Sequence, residues 1–255
     1  MTEPTPPTPP ADPVLLRRHD GWAEIVLNRP DRRNAIDGSL ADGLLAALQQ
    51  VHADPALRAL VLSGAGGALC SGLDLKAFGA DPPPPWVAGF GATWRSVHVA
   101  LAATRQVLLV ALERYAINGG AALALAGDLL VCGRGAYLTV GEIRIGMAAP
   151  NNLAWLVLRH SEAVAARVAL LGERLDAETL LRLGIATEVI DDDAVLARCR
   201  ERAAEIGGWS ADAVLRIKST LRAASLRTAP ADWFGSFAEP PPLAPPWGPD
   251  PTVRT

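Results

Sequence analysis

Apolar residues along the chain gather into short, distinct patterns. Residues 14–27, VLLRRHDGWAEIVL, predict two strands folded about a turn at Asp20–Gly21, because two apolar runs bracket a turn-forming dipeptide. The polar segment NRPDRRNAID at 28–37 reads as a loop. From Ser39 to Val51, Leu40, Leu44, Leu48 and Val51 recur at helical spacing and predict an amphipathic helix. Arg58–Ser63 predicts a buried strand, and the glycine-rich GAGGALCSG comes next. Past Asp74–Phe78 the chain enters a loop holding Pro82–Pro85. A helix over Trp94–Thr104 and an apolar strand over Gln106–Leu112 follow. A second turn, ERYAINGG, leads into AALALAGD, which is Ala-rich and helix-prone. Leu129–Cys132 predicts a strand and Tyr137–Val140 a short extended piece. Beyond them the pattern is mostly helical, over Asn151–Arg159, Glu162–Leu170, Asp176–Leu183, Asp193–Ile206 and Ala211–Leu226. Gly184 is placed to end the third of these, and Ala186–Ile190 is a strand between. Strands alternating with helices, then helices, predict an α/β fold with a helical C-terminal region.

Composition adds limits. Half of the 255 residues are apolar and a fifth are charged, so one sizeable core is within reach. Of 21 prolines, 17 lie in residues 1–13, 82–85 and 240–251, which leaves the stretches between free for packed structure. Residues 1–13 read as a disordered or polyproline-like tail, and residues 231–255 as a second proline-rich tail. No apolar run has the length and flanks of a membrane-spanning helix. The opening MTEPTPPTPPADP lacks the basic and apolar segments of a secretory signal. Three cysteines are too few for a disulfide framework, so a reducing cytoplasm is the expected compartment. The formal charge of −3, with no basic run interleaved with aromatics, speaks against nucleic acid. Four histidines, at 19, 52, 98 and 160, show no metal-ligand spacing, and no metal is expected.

Two junctions, Gly66–Asp74 and Asn118–Asp128, put small residues where a strand hands over to a helix. Such a junction exposes backbone N–H groups, and two of them converging on a carbonyl oxygen form an oxyanion hole; glycines that merely permit tight turns are the plainer reading. Neither junction is a dinucleotide fingerprint or a phosphate-binding loop with a Lys-Ser/Thr ending. Glu142 follows a short apolar strand. It is either an exposed turn residue or a carboxylate whose apolar surroundings fit it for acid–base work. Asp74 and Asp128 close the two motifs, where helix capping or structural hydrogen bonding suits them best.

Five segments in order resemble the enoyl-CoA hydratase/isomerase, or crotonase, family: NRPDRRNAID at 28–37, LCSGLDL at 69–75, AINGGAALALAGD at 116–128, VGEIRIGMAAP at 140–150 and LLGERLDAETLLRLGIATEVI at 170–190. The resemblance covers about residues 14–226. It implies a crotonase-like spiral of repeated ββα units with a helical C-terminal region. Residues 14–190 would form a core with an acyl-CoA site, and residues 191–230 a helical trimerisation region. It further implies that the backbone N–H groups of Ser71 and Gly119 hold the thioester oxygen and that Glu142 is an acid/base. The 28–37 loop, with Arg32, Arg33 and Ala35, would cradle the coenzyme A, and Lys76 is a further candidate; for the three cations, solvation at the surface has equal weight. The coenzyme is carried by the substrate, so no separate cofactor is implied.

The chain departs from the pattern in two places. The first glutamate of the family hydratases falls at Ala122, and Asn118 replaces the first glycine of a triplet. One carboxylate plus an oxyanion hole suffices for proton transfer, so the expected reaction is double-bond isomerisation of the 3-enoyl to 2-enoyl type. A specialised lyase or hydrolase of a secondary pathway is an alternative, and a non-catalytic acyl-CoA-binding protein another. Trp86, Trp94, Met147 and Trp155 fit either a pocket wall or ordinary packing, and His98 either a pocket or a surface or interface position. The resemblance implies homotrimers, paired or not into hexamers. The family's usual C-terminal segment is not visible after Phe234.

Overall fold

A computed structural model describes residues 12–238. Most of the first proline-rich tail, residues 1–11, and residues 239–255 of the second lie outside them.

A six-stranded sheet forms the centre, in the order β1 (Val14–Arg18), β2 (Trp22–Leu27), β3 (Ala59–Gly64), β4 (Val107–Leu112), β6 (Leu129–Gly133) and β9 (Glu188–Ile190). Only the β1–β2 pair is antiparallel. β2 and β3 are buried along their whole length, as strands covered on both faces must be. A smaller sheet joins β5 (Tyr115–Ile117), β7 (Tyr137–Thr139) and β8 (Arg174–Asp176). The chain repeats one unit: β4, β5 and α4 (Gly119–Leu125), then β6, β7 and α5 (Pro150–Arg159). In each, the first strand enters the large sheet and the second the small one. This is the crotonase-like arrangement of ββα units.

On one face of the large sheet lie α1 (Gly38–His52), α3 (Phe90–Ala103), α4 and α5. Leu40, Leu44, Leu48 and Val51 of α1 are all buried there, as their spacing predicts. The other face is covered by α8 (Val195–Gly207), through Val195, Cys199, Ala203 and Ile206. α6 (Glu162–Leu171), α7 (Ala177–Arg182) and α9 (Ala211–Ser225) are further helices of the C-terminal part.

Several elements differ from the sequence reading. ERYAINGG is not only a turn, since Tyr115–Ile117 pairs with Tyr137–Thr139. Arg174–Asp176 is likewise a strand. Three-residue strands carry too few positions for alternation to register. Leu75–Phe78 forms a one-turn helix, α2, capped by the Asp74 side chain, which accepts from the Ala77 N–H at 3.2 Å. α3 starts at Phe90, four residues before its expected start.

The largest correction is at the C-terminus. Residues 230–238, mostly assigned to a proline-rich tail, form the helix α10 (Pro230–Ala238). Pro230 occupies the first helical position, where its missing N–H costs nothing, and the prolines resume only at Pro240. α10 packs on α3 and α5.

Candidate active site

The two glycine-bearing junctions lie against each other. Cys70 bridges to Ala116, and the Ile117 N–H donates to the Cys70 carbonyl at 3.1 Å. A Cβ at residue 120 would lie 2.5 Å from the Cys70 carbonyl oxygen, so Gly120 is what lets the segments close. Cys70 is fully buried, and its Sγ accepts from the Gly72 N–H at 3.4 Å. Ser71 thus stands beside the start of α4.

The two expected oxyanion donors are not equivalent. Gly119 is the first residue of α4, and an N–H at that position has no acceptor within its helix. The Ser71 N–H, in contrast, donates to the Arg33 carbonyl at 3.1 Å. Arg33 and Asn34 have φ of 54° and 53°, a left-handed turn that brings this carbonyl to Ser71. Asn34 is fully buried and anchors the turn by donating to the carbonyls of Ala65 and Ala68, at 3.0 and 2.7 Å.

Glu142 follows β7 in a short 3-10 turn and is 7% exposed, so it is not an exposed turn glutamate. Its Oε1 accepts from the Asn152 amide at 2.8 Å, while its Oε2 is buried with no hydrogen-bond partner among the described residues. Burial pushes its pKa above the ordinary glutamate value; its own backbone N–H and the Asn152 amide pull it partly back.

Asn152 escaped the sequence reading. It lies on α5, ten residues after Glu142, and is 2% exposed. The same amide nitrogen donates to the Asn118 carbonyl at 3.1 Å. Asn118 in turn accepts the Gly141 N–H on its side-chain oxygen at 2.9 Å. Asn118 and Asn152 therefore tie the start of α4 to the residue before Glu142 and to Glu142 itself. Asn118 adopts a φ of 53°, which asparagine tolerates better than most residues. The signal for Asn152 was a polar pair, Asn151–Asn152, opening an otherwise apolar helix.

Ala122 lies on α4, fully buried, and brings no polar group. Arg32, Arg33 and Lys76 are exposed, with Arg33 next to Ser71. Ala35 is buried, and its carbonyl accepts from the Arg29 guanidinium. Trp94 stands at the opening of α4, with its ring 3.9 Å from where a Cβ at residue 119 would be. Trp86 instead packs on Gly38 and edge-on to Phe78 and Phe90. Met147 is half exposed, and Trp155 is fully buried.

His98 is not a surface residue. It is fully buried, and its Nδ1 accepts from the Trp155 indole at 2.9 Å. Burial pushes its pKa down to about 3, so the ring is neutral at physiological pH. Trp94 packs edge-on to it and Phe234 of α10 stacks on its other side.

The model of the enoyl-CoA hydratase/isomerase family matches residues 17–233. The Mycobacterium tuberculosis protein EchA14, described as a probable enoyl-CoA hydratase, is 35% identical over 220 residues, or 83% of this chain and 82% of that protein. The carnitinyl-CoA dehydratase of Proteus mirabilis is 31% identical, covering 79% of this chain and 77% of its own. Among solved structures, carnitinyl-CoA hydratase from Mycobacterium avium superimposes with a TM-score of 0.78 at 26% identity, over 90% of this chain and 88% of that one. A monofunctional enoyl-CoA isomerase from Mycobacterium smegmatis gives 0.69 at 28% identity, over 85% and 97%. Family model, relatives and fold agree: the chain belongs to the enoyl-CoA hydratase/isomerase family, whose members act on acyl-CoA thioesters.

Proposed function

We propose that the chain moves a double bond within an acyl-CoA, from the 3-enoyl to the 2-enoyl position, using Glu142 as the single acid/base. One observation carries this reading. Glu142 is a buried carboxylate with one oxygen anchored by Asn152 and the other unbonded, while position 122 offers only a methyl group. Oε2 takes a proton from C2 of the substrate. The electrons released pass to the thioester oxygen, which the Gly119 and Ser71 N–H groups stabilise, Ser71 exchanging the Arg33 carbonyl for the substrate. Glu142 then returns its proton at C4, which leaves the double bond between C2 and C3. Arg32, Arg33 and Lys76 are exposed, and in this reading they meet the phosphates of the coenzyme. Trp94 forms the wall of the acyl pocket nearest the thioester.

The relatives described as hydratases act with water. Ala122 sets this chain apart from a two-carboxylate arrangement, and a solved relative described as a monofunctional isomerase supports the same direction. The test is incubation of a 3-enoyl-CoA series with purified protein in D2O, followed by mass spectrometry. Deuterated 2-enoyl-CoA is the expected product. Absence of both exchange and isomerisation at every chain length overturns the reading.

Asn152→Ala has a distinct signature. Glu142 must be ionised to act as a base, so kcat/KM falls as pH drops through its raised pKa. Loss of the amide bond to the carboxylate raises that pKa further. The acid limb of the pH profile should therefore move to higher pH in the variant, whereas a purely structural defect would lower the whole profile without moving it.

We further propose a homotrimer, with or without pairing to a hexamer. The helical region 191–230 makes the contact in this reading: Trp209, Ile217 and Leu221 are exposed apolar side chains there, suited to a second copy.

A further inference from the structure

Arg29 lies at the start of the 28–37 loop, and its side chain reaches three acceptors at once. Nη1 donates to the Ala35 carbonyl, and Nη2 pairs with Asp37 at 2.8 Å and with Asp74 at 3.5 Å. The three side chains are 18%, 15% and 12% exposed, so solvent screens these pairs less than it does at the open surface. All three acceptors flank one short bridge. Ala35 and Asp37 stand on either side of Ile36, Asp74 follows Leu73, and Ile36 pairs with Leu73.

That bridge carries the Ser71 donor. The Ile36 N–H donates to the Gly72 carbonyl at 2.8 Å, and the Asp74 N–H to the Ile36 carbonyl at 2.9 Å. Ser71 precedes Gly72, and before it Cys70 bridges to Ala116. Ser71 is therefore strung between two bridges, one to the segment that opens α4 and one to Ile36. The Ile36 side chain meets the second donor. Its Cδ1 lies 3.0 Å from where a Cβ at residue 119 would be. Ile36 is fully buried, in packing that leaves it little room to drift. Its main chain thus fixes the Ser71 strand, and its side chain abuts Gly119.

Charge makes the grip necessary. Asp37 caps α1 by accepting the Leu40 N–H at 2.9 Å, as Asp74 caps α2. In each carboxylate Oδ1 makes the capping bond and Oδ2 faces Arg29. Neither can turn away without uncapping its helix. With the guanidinium removed, two negative charges would face each other across the Ile36–Leu73 bridge and push it open.

We propose that Arg29 is a positioning residue of the oxyanion hole. It holds Ile36 between the Ser71 strand and the start of α4, and Ile36 sets the spacing of the two N–H groups. The proposal rests on the reading of Ser71 and Gly119 as donors to the thioester oxygen. Arg29 acts through Ile36 and not on the substrate. A donor moved out of place forfeits much of the roughly 10²–10³-fold that one such hydrogen bond contributes.

Titration with sorboyl-CoA, a conjugated dienoyl thioester, tests the proposal. Its absorption moves to longer wavelength when hydrogen bonds draw charge onto the carbonyl oxygen, and the same titration gives its Kd. The wild-type protein should shift the band to the red. Arg29→Gln should lose most of that shift and lower kcat for isomerisation about tenfold or more, with Kd little changed. Asp74→Asn added to Arg29→Gln should recover part of the shift, because it removes the repulsion and keeps a capping oxygen. Ile36→Val deletes Cδ1 and leaves every charge in place, so it tests the same spacing if Arg29→Gln does not fold; it too should reduce the shift. A full shift in either single variant, an affinity loss as large as the loss in kcat, or an added Asp74→Asn that only worsens Arg29→Gln overturns the proposal. The shift needs no turnover. A wild-type protein that shifts the probe and isomerises no acyl-CoA overturns the reaction proposed for Glu142, and the Arg29 result is then still read from the shift. A wild-type protein that gives no shift overturns the two donors and Arg29 together.

Discussion

Glu142→Gln should lower the isomerisation rate roughly 10²–10⁴-fold, the usual contribution of a positioned acid or base. The substitution is nearly isosteric, so it isolates the loss of proton transfer from any change of shape. Asn152 donates to Oε1 through its amide nitrogen, and an amide oxygen at the same place accepts that bond equally well. The fold and the acyl-CoA affinity should therefore survive, and the loss should appear in kcat with KM little changed. Steady-state kinetics and calorimetric binding of a saturated acyl-CoA measure the two separately. An unchanged kcat would remove Glu142 from the chemistry, and lost binding would make its role structural.

Phe234→Ala should destabilise the protein by about 3–5 kcal/mol, the usual cost of deleting a buried aromatic side chain. Phe234 is 1% exposed and is the only buried residue of α10. It stacks on His98 and meets Trp155 edge-on, with ring centroids 5.8 and 5.1 Å away. α10 is held as well by the Trp233 indole, which donates to the Ala154 carbonyl at 3.2 Å, and by Trp233 and Phe237, which are partly buried against the same core. Without Phe234 the helix loses its anchor, and His98 with Trp155 becomes open to water. Denaturant unfolding gives the stability change, and tryptophan emission should shift to longer wavelength before global unfolding. If stability stays within 1 kcal/mol of wild type, α10 is not held as described.

The contrast between Phe234 and the proline runs shows where sequence reading succeeds. α1 was legible because four apolar residues at helical spacing all point into one core. The large sheet was legible because its inner strands are continuous apolar runs. α10 was not, because the prolines on its far side dominated the composition of the segment and hid nine helical residues before them. β5 and β8 are set by pairing partners distant in sequence, which a local pattern does not contain.

The candidate site divides the same way. Glu142, Ser71 and Gly119 came from motifs, and the structure puts Ser71 beside the start of α4 and Asn152 onto Glu142. The occupation of the Ser71 N–H by Arg33 is a tertiary contact across the chain, invisible in either motif. Asn152 was missed because its role exists only once α5 has been laid against the Glu142 turn. His98 was misjudged because a histidine in an amphipathic helix has no sequence mark of being buried; its neutrality follows from the indole that donates to it.

Cys70 gives the close seam at Gly120 one more consequence. All three cysteines are buried with thiols pushed up to about 12, so scarcely any thiolate exists at neutral pH and the closed protein is inert to alkylation. A thiol reagent must wait for the chain to part. Because Cys70 lies on the very seam that carries Ser71, its modification rate is a clock for how often that edge of the site breathes open, and Cys132 and Cys199 supply the same clock for the sheet and its covering helix.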